Sequence, residues 1–161
     1  LIEAQSKTEK FDKWFSVWVQ DVIGELGEVW AMIYNEYDSP EFLTEIGDVI
    51  WGICAVSLLL GITPQDIIAA KHLNMNDTAN SSLSGTVRKM LPLLEMGKKV
   101  LRDGSILRPV NRQEVLKYLV TLLDFLNHRY DILSATRLTT AKLLARYPNG
   151  YSADESVNRS V

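Results

Sequence analysis

An all-α fold is predicted, with a four-helix-bundle-like core made from two related helical hairpins in one chain plus short helices. Three observations point to it. Apolar residues recur at spacings of three and four along most of the chain. No segment alternates apolar and polar residues between two turns, so no strand is expected. Capping residues, prolines and glycines punctuate the periodic runs where helices start and stop.

The first helix is expected over about 11–34, because Phe11, Trp14, Phe15, Trp18, Val22, Leu26, Val29 and Ile33 share one stripe. Asn35 to Pro40 is the break. Ser39 is a suitable N-cap, with Pro40 at the first helical position and Glu41 in the first turn. The second helix then runs to about Leu60 and stops at Gly61. Thr63-Pro64 opens a short helix to about Leu73, and the polar run 76–85 is a linker. Helices follow over about 86–101 and 111–132, separated by a loop around Asp103-Gly104. Ser134 can cap a last helix to about Tyr147, leaving a polar, irregular tail over 151–161.

At 161 residues the chain suits one domain, or two small repeats sharing a core. A weak repeat is present. Glu25-Leu26-Gly27-Glu28-Val29 resembles Glu95-Met96-Gly97-Lys98-Lys99, and the run from Ile62 to Lys71 resembles that from Leu133 to Lys142, at offsets of 70 and 71. The repeat-like halves are about 11–75 and 86–150, each a hairpin plus a short helix.

Composition sets the class. The chain is 47% hydrophobic and 23% charged, an ordinary globular balance, and its net charge of −3 points to neither nucleic acid nor an anionic membrane surface. The longest apolar stretch, Val49 to Leu60, is interrupted by Gly52 and Ser57 and is too short to span a bilayer. The start, Leu1 to Lys10, lacks the apolar core of a signal peptide; it also lacks an initiator Met, which reads as trimming. Cys54 stands alone in an apolar run and reads as a small buried hydrophobe. With no internal disulfide, a reducing, cytoplasmic setting is expected.

The chemistry is concentrated in carboxylates. Glu25 and Glu28 lie three apart on the first helix, with Asp21 a turn earlier on the same stripe. Glu45 and Asp48 repeat the spacing on the second helix, with Glu41 a turn before. A hairpin sets the two pairs face to face. Gly24, Gly27, Gly47 and Gly52 remove bulk beside them, for a ligand or a second helix to approach. Four converging carboxylates repel one another unless a hard, oxygen-seeking cation sits between them, and Mg²⁺ is the usual one, with Mn²⁺ as a substitute. Mg²⁺ also binds phosphate oxygens, so a polyphosphate substrate follows. The plain alternative is a solvated acidic helix surface. A di-iron site needs Glu-x-x-His. Ala69 precedes His72 by three and Phe125 precedes His128 by three, so both histidines read as surface or boundary residues.

E-x-x-E, a gap and E-x-x-D together resemble the all-α nucleoside-triphosphate pyrophosphohydrolases, a superfamily that includes the MazG-like proteins, the dimeric dUTPases and phosphoribosyl-ATP pyrophosphohydrolase. The gap here is the 16 residues from Val29 to Thr44. The flanks Glu25-Leu26-Gly27-Glu28-Val29 and Glu45-Ile46-Gly47-Asp48-Val49-Ile50-Trp51 are MazG-like, followed by Leu60-Gly61-Ile62. The ending from Ala141 to Ser152 is similar to the K-L-x-x-R-Y-P-x-G-F-S ending of many such chains. The resemblance implies a bundle usually completed by dimerisation and Mg²⁺-dependent hydrolysis of a (d)NTP to the monophosphate and pyrophosphate. It implies Glu25, Glu28, Glu45 and Asp48 as metal ligands, with Glu28 also orienting or deprotonating water. A dUTPase- or dCTPase-type base preference is an alternative within the superfamily; a non-catalytic helical interaction module is the alternative outside it.

This chain departs from the family pattern in two places. The family often carries N-x-x-K on its last helix, where Thr139 here precedes Lys142 and Ile68 precedes Lys71. In the second half Lys98 stands where Glu28 would, and Leu116 and Leu119 fall where Glu45 and Asp48 would. One acidic site per chain is therefore expected, with the second half supplying cations to phosphates: Lys98, Lys99, Arg102, Lys142 and Arg146 are the candidates, against a reading as solvated surface charges. Trp14, Trp18, Trp30 and Trp51 read chiefly as core, with Trp51 the exception that could stack on a base, since it follows Asp48 by three. A single-chain pseudo-dimer could stand alone or pair again as a homodimer.

Overall fold

The computed structural model describes residues 2–33, 39–73 and 81–150. Among them six α-helices occur and no strand: α1 (Ile2–Met32), α2 (Pro40–Leu59), α3 (Pro64–Ala69), α4 (Leu83–Asp103), α5 (Arg112–Arg129) and α6 (Ile132–Arg146), with a 3₁₀ turn at Lys71–Leu73. The all-α class is as expected. The first break and the linker fall partly on 34–38 and 74–80, and the tail on 151–161, outside the described residues.

Local chemistry sets the ends. The Ser39 hydroxyl accepts the Phe42 N–H at 3.0 Å and Pro40 occupies the first turn of α2. At the other end Gly61 takes φ +62°, the Ile62 N–H reaches the Ser57 carbonyl at 2.8 Å, and the Gly61 N–H reaches Leu58 at 3.2 Å. These two bonds are the Schellman pattern, which needs a left-handed residue at that point. Thr63 and Asp66 then form a reciprocal capping box that starts α3. Asn111 caps α5 by accepting the Glu114 N–H.

Several boundaries differ from expectation. α4 begins at Leu83, capped by Ser82, within the stretch 76–85 expected as a linker, and α5 ends at Arg129 where about 132 was expected. α1 begins nine residues before Phe11, through a polar stretch with no apolar stripe to announce it. The cap of α6 is Asp131, which accepts both the N–H and the hydroxyl of Ser134; a carboxylate three residues upstream takes the role expected of Ser134.

α1 buries Phe15, Val19, Val22, Leu26 and Val29, a strict three-four stripe, against α2 on one side and α4 on the other. α2 packs in turn against α6. α5 is buried on more than one face, through Val115, Leu116, Leu119, Leu122 and Phe125, and meets α4, α2, α3 and the 3₁₀ turn. The two halves pack unequally: α1 lies along α2 and α2 along α6, while α4 meets α5, and α5 meets α3, only over short stretches. Arg112 at the start of α5 ties the halves, donating to the Leu60 and Gly61 carbonyls and to Asp66.

α2 is, by length and composition alone, apolar enough to cross a membrane over Pro40–Leu59, longer than the run the sequence suggested. Here Phe42, Ile46, Val49, Ile53 and Val56 are buried within the bundle.

Candidate functional site

The α1–α2 hairpin is antiparallel and close. A Cβ on Gly52 would lie 2.6 Å from the Val22 side chain, so glycine is what lets the two helices approach there. Gly47 has the same function against α6, where a Cβ would collide with the Thr139 side chain and the Ala135 carbonyl. Gly24 and Gly27 differ from expectation: a Cβ at either would meet nothing. They are open positions on the solvent side and not points of close approach.

Between the helices, carboxylate oxygens of Glu25, Glu45 and Asp48 all lie within 4.8 Å of one another. Glu28, the fourth residue of the expected set, is exposed and outside that group, yet its charge acts on Asp21, Glu25 and Glu45. Burial, then the charges of Asp48, Glu28, Asp21 and Glu45, push the Glu25 carboxyl up to about 7. Asp21 and Glu45 are raised as well, burial first and then Asp48 and Glu28; Lys142 and a hydrogen bond from Glu25 pull Glu45 partly back. Such a set is short of positive charge. Its donors are all oxygens, from two rigid helices, which suits a hard divalent cation.

α6 closes one side. Lys142 forms an ion pair with Asp48. The Thr139 hydroxyl, only 2% exposed, lies 3.0 Å from the Thr44 carbonyl and 3.1 Å from Asp48 Oδ1, and its one proton serves both. Sequence reasoning marked Thr139 only as a missing asparagine; its place three residues before Lys142, on the same helix face, was the available signal.

The other expected cations are placed elsewhere. Gly97 of α4 lies against Ser16 and Val19, and the Ser105 N–H reaches Asp12, so α4 runs antiparallel to α1. Lys98 is then level with Ser16–Val19, about 9 Å or more down α1 from Glu25 at 1.5 Å per residue, and Arg102 is lower still. Lys98 and Lys99 pair with Glu95, and Arg102 with Asp103. These residues do not meet the acidic set, because the register of α4 on α1 sets their level. Arg146 is exposed, one turn beyond Lys142.

Trp51 is exposed, in line with its reading as the exception, whereas Trp14 and Trp30 are exposed and Trp18 half-buried where core positions were expected. Cys54 is exposed, not buried. It lies with Trp14, Trp18, Trp51, Ala55, Leu58 and Leu59 along an open apolar groove of about 430 Å³ between α1 and α2. His72 and His128 are exposed, as expected.

No family model, curated protein or solved structure matches the chain.

Proposed function

We propose that the chain is a Mg²⁺-dependent nucleoside-triphosphate pyrophosphohydrolase, converting a (d)NTP and water to the (d)NMP and pyrophosphate. The observation that carries this reading is the convergence of Glu25, Glu45 and Asp48 from two helices, with Lys142 brought to Asp48 from a third. The residues fit the metal: an all-oxygen, partly buried donor set whose carboxyls are pushed toward protonation by burial and by one another's charge. Glu25, Glu45 and Asp48 would hold it, with Glu28 beside them. When bound, Mg²⁺ neutralises phosphate charge and acidifies a bound water.

The chain's own groups do the rest. Glu28, exposed at the edge of the set, orients the attacking water and takes its proton. The water oxygen bonds to the α-phosphorus as the bond to the β-phosphate bridging oxygen breaks, and pyrophosphate leaves. Thr139 and Lys142 fix the rotamer of Asp48. Lys142 also offers its charge to the phosphates.

Thermal unfolding of the full chain with Mg²⁺ and each nucleoside triphosphate separates this from a helical interaction module. A stabilisation that needs both metal and nucleotide is expected, because a ligand bound only by the native state raises the unfolding temperature. No shift with any nucleotide contradicts the reading.

A further inference from the structure

We infer that Lys142 is a tethered cation that stands in for the metal: it neutralises the acidic set while no ion is bound, opposes a free divalent cation, and gives up Asp48 when metal arrives together with phosphates. The inference rests on the metal-dependent reading of the site and names how that site is regulated.

Asp48 has both carboxylate oxygens taken by α6. Oδ1 accepts from the Thr139 hydroxyl at 3.1 Å, and Oδ2 accepts from the Lys142 ammonium. Asp48 is also one of the three carboxylates whose oxygens converge with those of Glu25 and Glu45. Lys142 thus places its charge on a group that would hold the ion, and that charge reaches Glu45 as well. Among the described residues no other lysine or arginine forms an ion pair with Glu25, Glu45 or Asp48.

The two partners on α6 differ in kind. Thr139 is neutral, buried, and bonded to the Thr44 carbonyl as well. Its β-branched side chain is stiff about the first torsion, and a hydroxyl carries no net charge to oppose a cation. Lys142 is a point charge on a flexible four-carbon stem. Its side chain keeps 22% of its surface exposed, and Ala141, Ala145 and Arg146 around it on α6 are exposed. The ammonium can therefore swing out without unpacking the helix. Thr139 stays and holds Asp48; Lys142 exchanges.

Charge decides the direction of the exchange. A divalent ion held by Asp48 would share that carboxylate with the ammonium, and like charges on one carboxylate repel. Either the ion is kept out or Lys142 loses its partner, and both lower the affinity for metal alone. A polyphosphate reverses the balance, because its oxygens bind the metal and also accept the displaced ammonium. Metal and nucleotide then each bind more tightly in the other's presence, and linkage makes the gain reciprocal.

The test is calorimetric titration of the full chain with Mg²⁺ or Mn²⁺ alone, for wild type, Lys142→Met, Lys142→Gln, Lys142→Arg and Thr139→Val. Thermal melts with and without metal check that each variant folds. Lys142→Met and Lys142→Gln are expected to bind either metal about 5–150-fold more tightly than the wild type. Lys142→Arg, which keeps the charge, binds no more tightly, and Thr139→Val binds more weakly. The Mg²⁺ complex of a non-hydrolysable nucleoside triphosphate shows the opposite sign, binding Lys142→Met more weakly than the wild type. Without metal Lys142→Met melts below the wild type, and saturating Mg²⁺ closes the gap. Metal affinity unchanged or weakened in both Lys142→Met and Lys142→Gln overturns the stand-in role and leaves the hydrolase reading intact. So does a melting gap that persists under saturating Mg²⁺, which marks a purely structural ion pair. Equal or tighter binding of the Mg²⁺–nucleotide complex by Lys142→Met also overturns it. Absence of metal and nucleotide binding in every chain overturns the underlying reading as well.

Discussion

Glu25 has an unusual position for a carboxylate, half-buried between Asp21, Glu28, Glu45 and Asp48. Its carboxyl is raised from the ordinary 4.5 to about 7, so the folded chain holds a proton that the unfolded chain releases. The native state then binds more protons between those values, and stability falls as pH rises through that window. Metal-free protein is therefore expected to melt at a lower temperature at pH 8 than at pH 5, with Asp21 and Glu45 adding in the same direction. Saturating Mg²⁺ should flatten the slope, and Glu25→Gln should do so without metal; thermal melts across pH check both. The convergence of Glu25, Glu45 and Asp48 was legible in the sequence because three-residue spacing fixes a helix face, whereas Glu28, on the same spacing, lies outside their group. Thr139 was not legible, because its bond to Asp48 depends on where α6 docks.

At the scale of elements, glycines on the same hairpin divide by what they face. Gly47→Ala should destabilise by about 1–3 kcal/mol, since α6 presents the Ala135 backbone and the Thr139 side chain with no room to yield. Gly24→Ala should stabilise by about 0.5–1 kcal/mol, since its Cβ enters open space on a helix. Urea denaturation of the two variants checks the opposite signs. The sequence showed all these glycines as equivalent small residues. Helix ends were more readable: Ser39-Pro40 and Gly61 act through bonds within a few residues, so α2 begins and turns where expected. The α6 start moved because Asp131 is a second capping residue three positions upstream of Ser134.

For the whole molecule, neither the packing nor the chemistry is shared evenly between the halves: the closely packed α1–α2 hairpin carries the acids, and α4 meets α5 only over a short stretch. Leu116 and Leu119 fill the core where Glu45 and Asp48 carry charge. Leu119→Asp should therefore build no second site and should cost at least about 3 kcal/mol, as an unpaired charge in the core; denaturant unfolding and metal stoichiometry measure the two parts. Helix class and the hairpin plan were legible because periodicity is local. The exposure of Trp14, Trp30 and Cys54, and the distance of Lys98 and Arg102 from the acids, were not. A one-position turn of a helix separates core from groove, and the register of α4 on α1 is set by packing across the chain.

The most direct measurement is pyrophosphate release from nucleoside triphosphates with Mg²⁺, by the wild-type chain and by Asp48→Ala and Glu28→Ala. Release by the wild type, abolished in each variant, is the expected result. Undiminished release by both variants, or none by the wild type with any ribo- or deoxynucleotide, contradicts the assignment of these carboxylates.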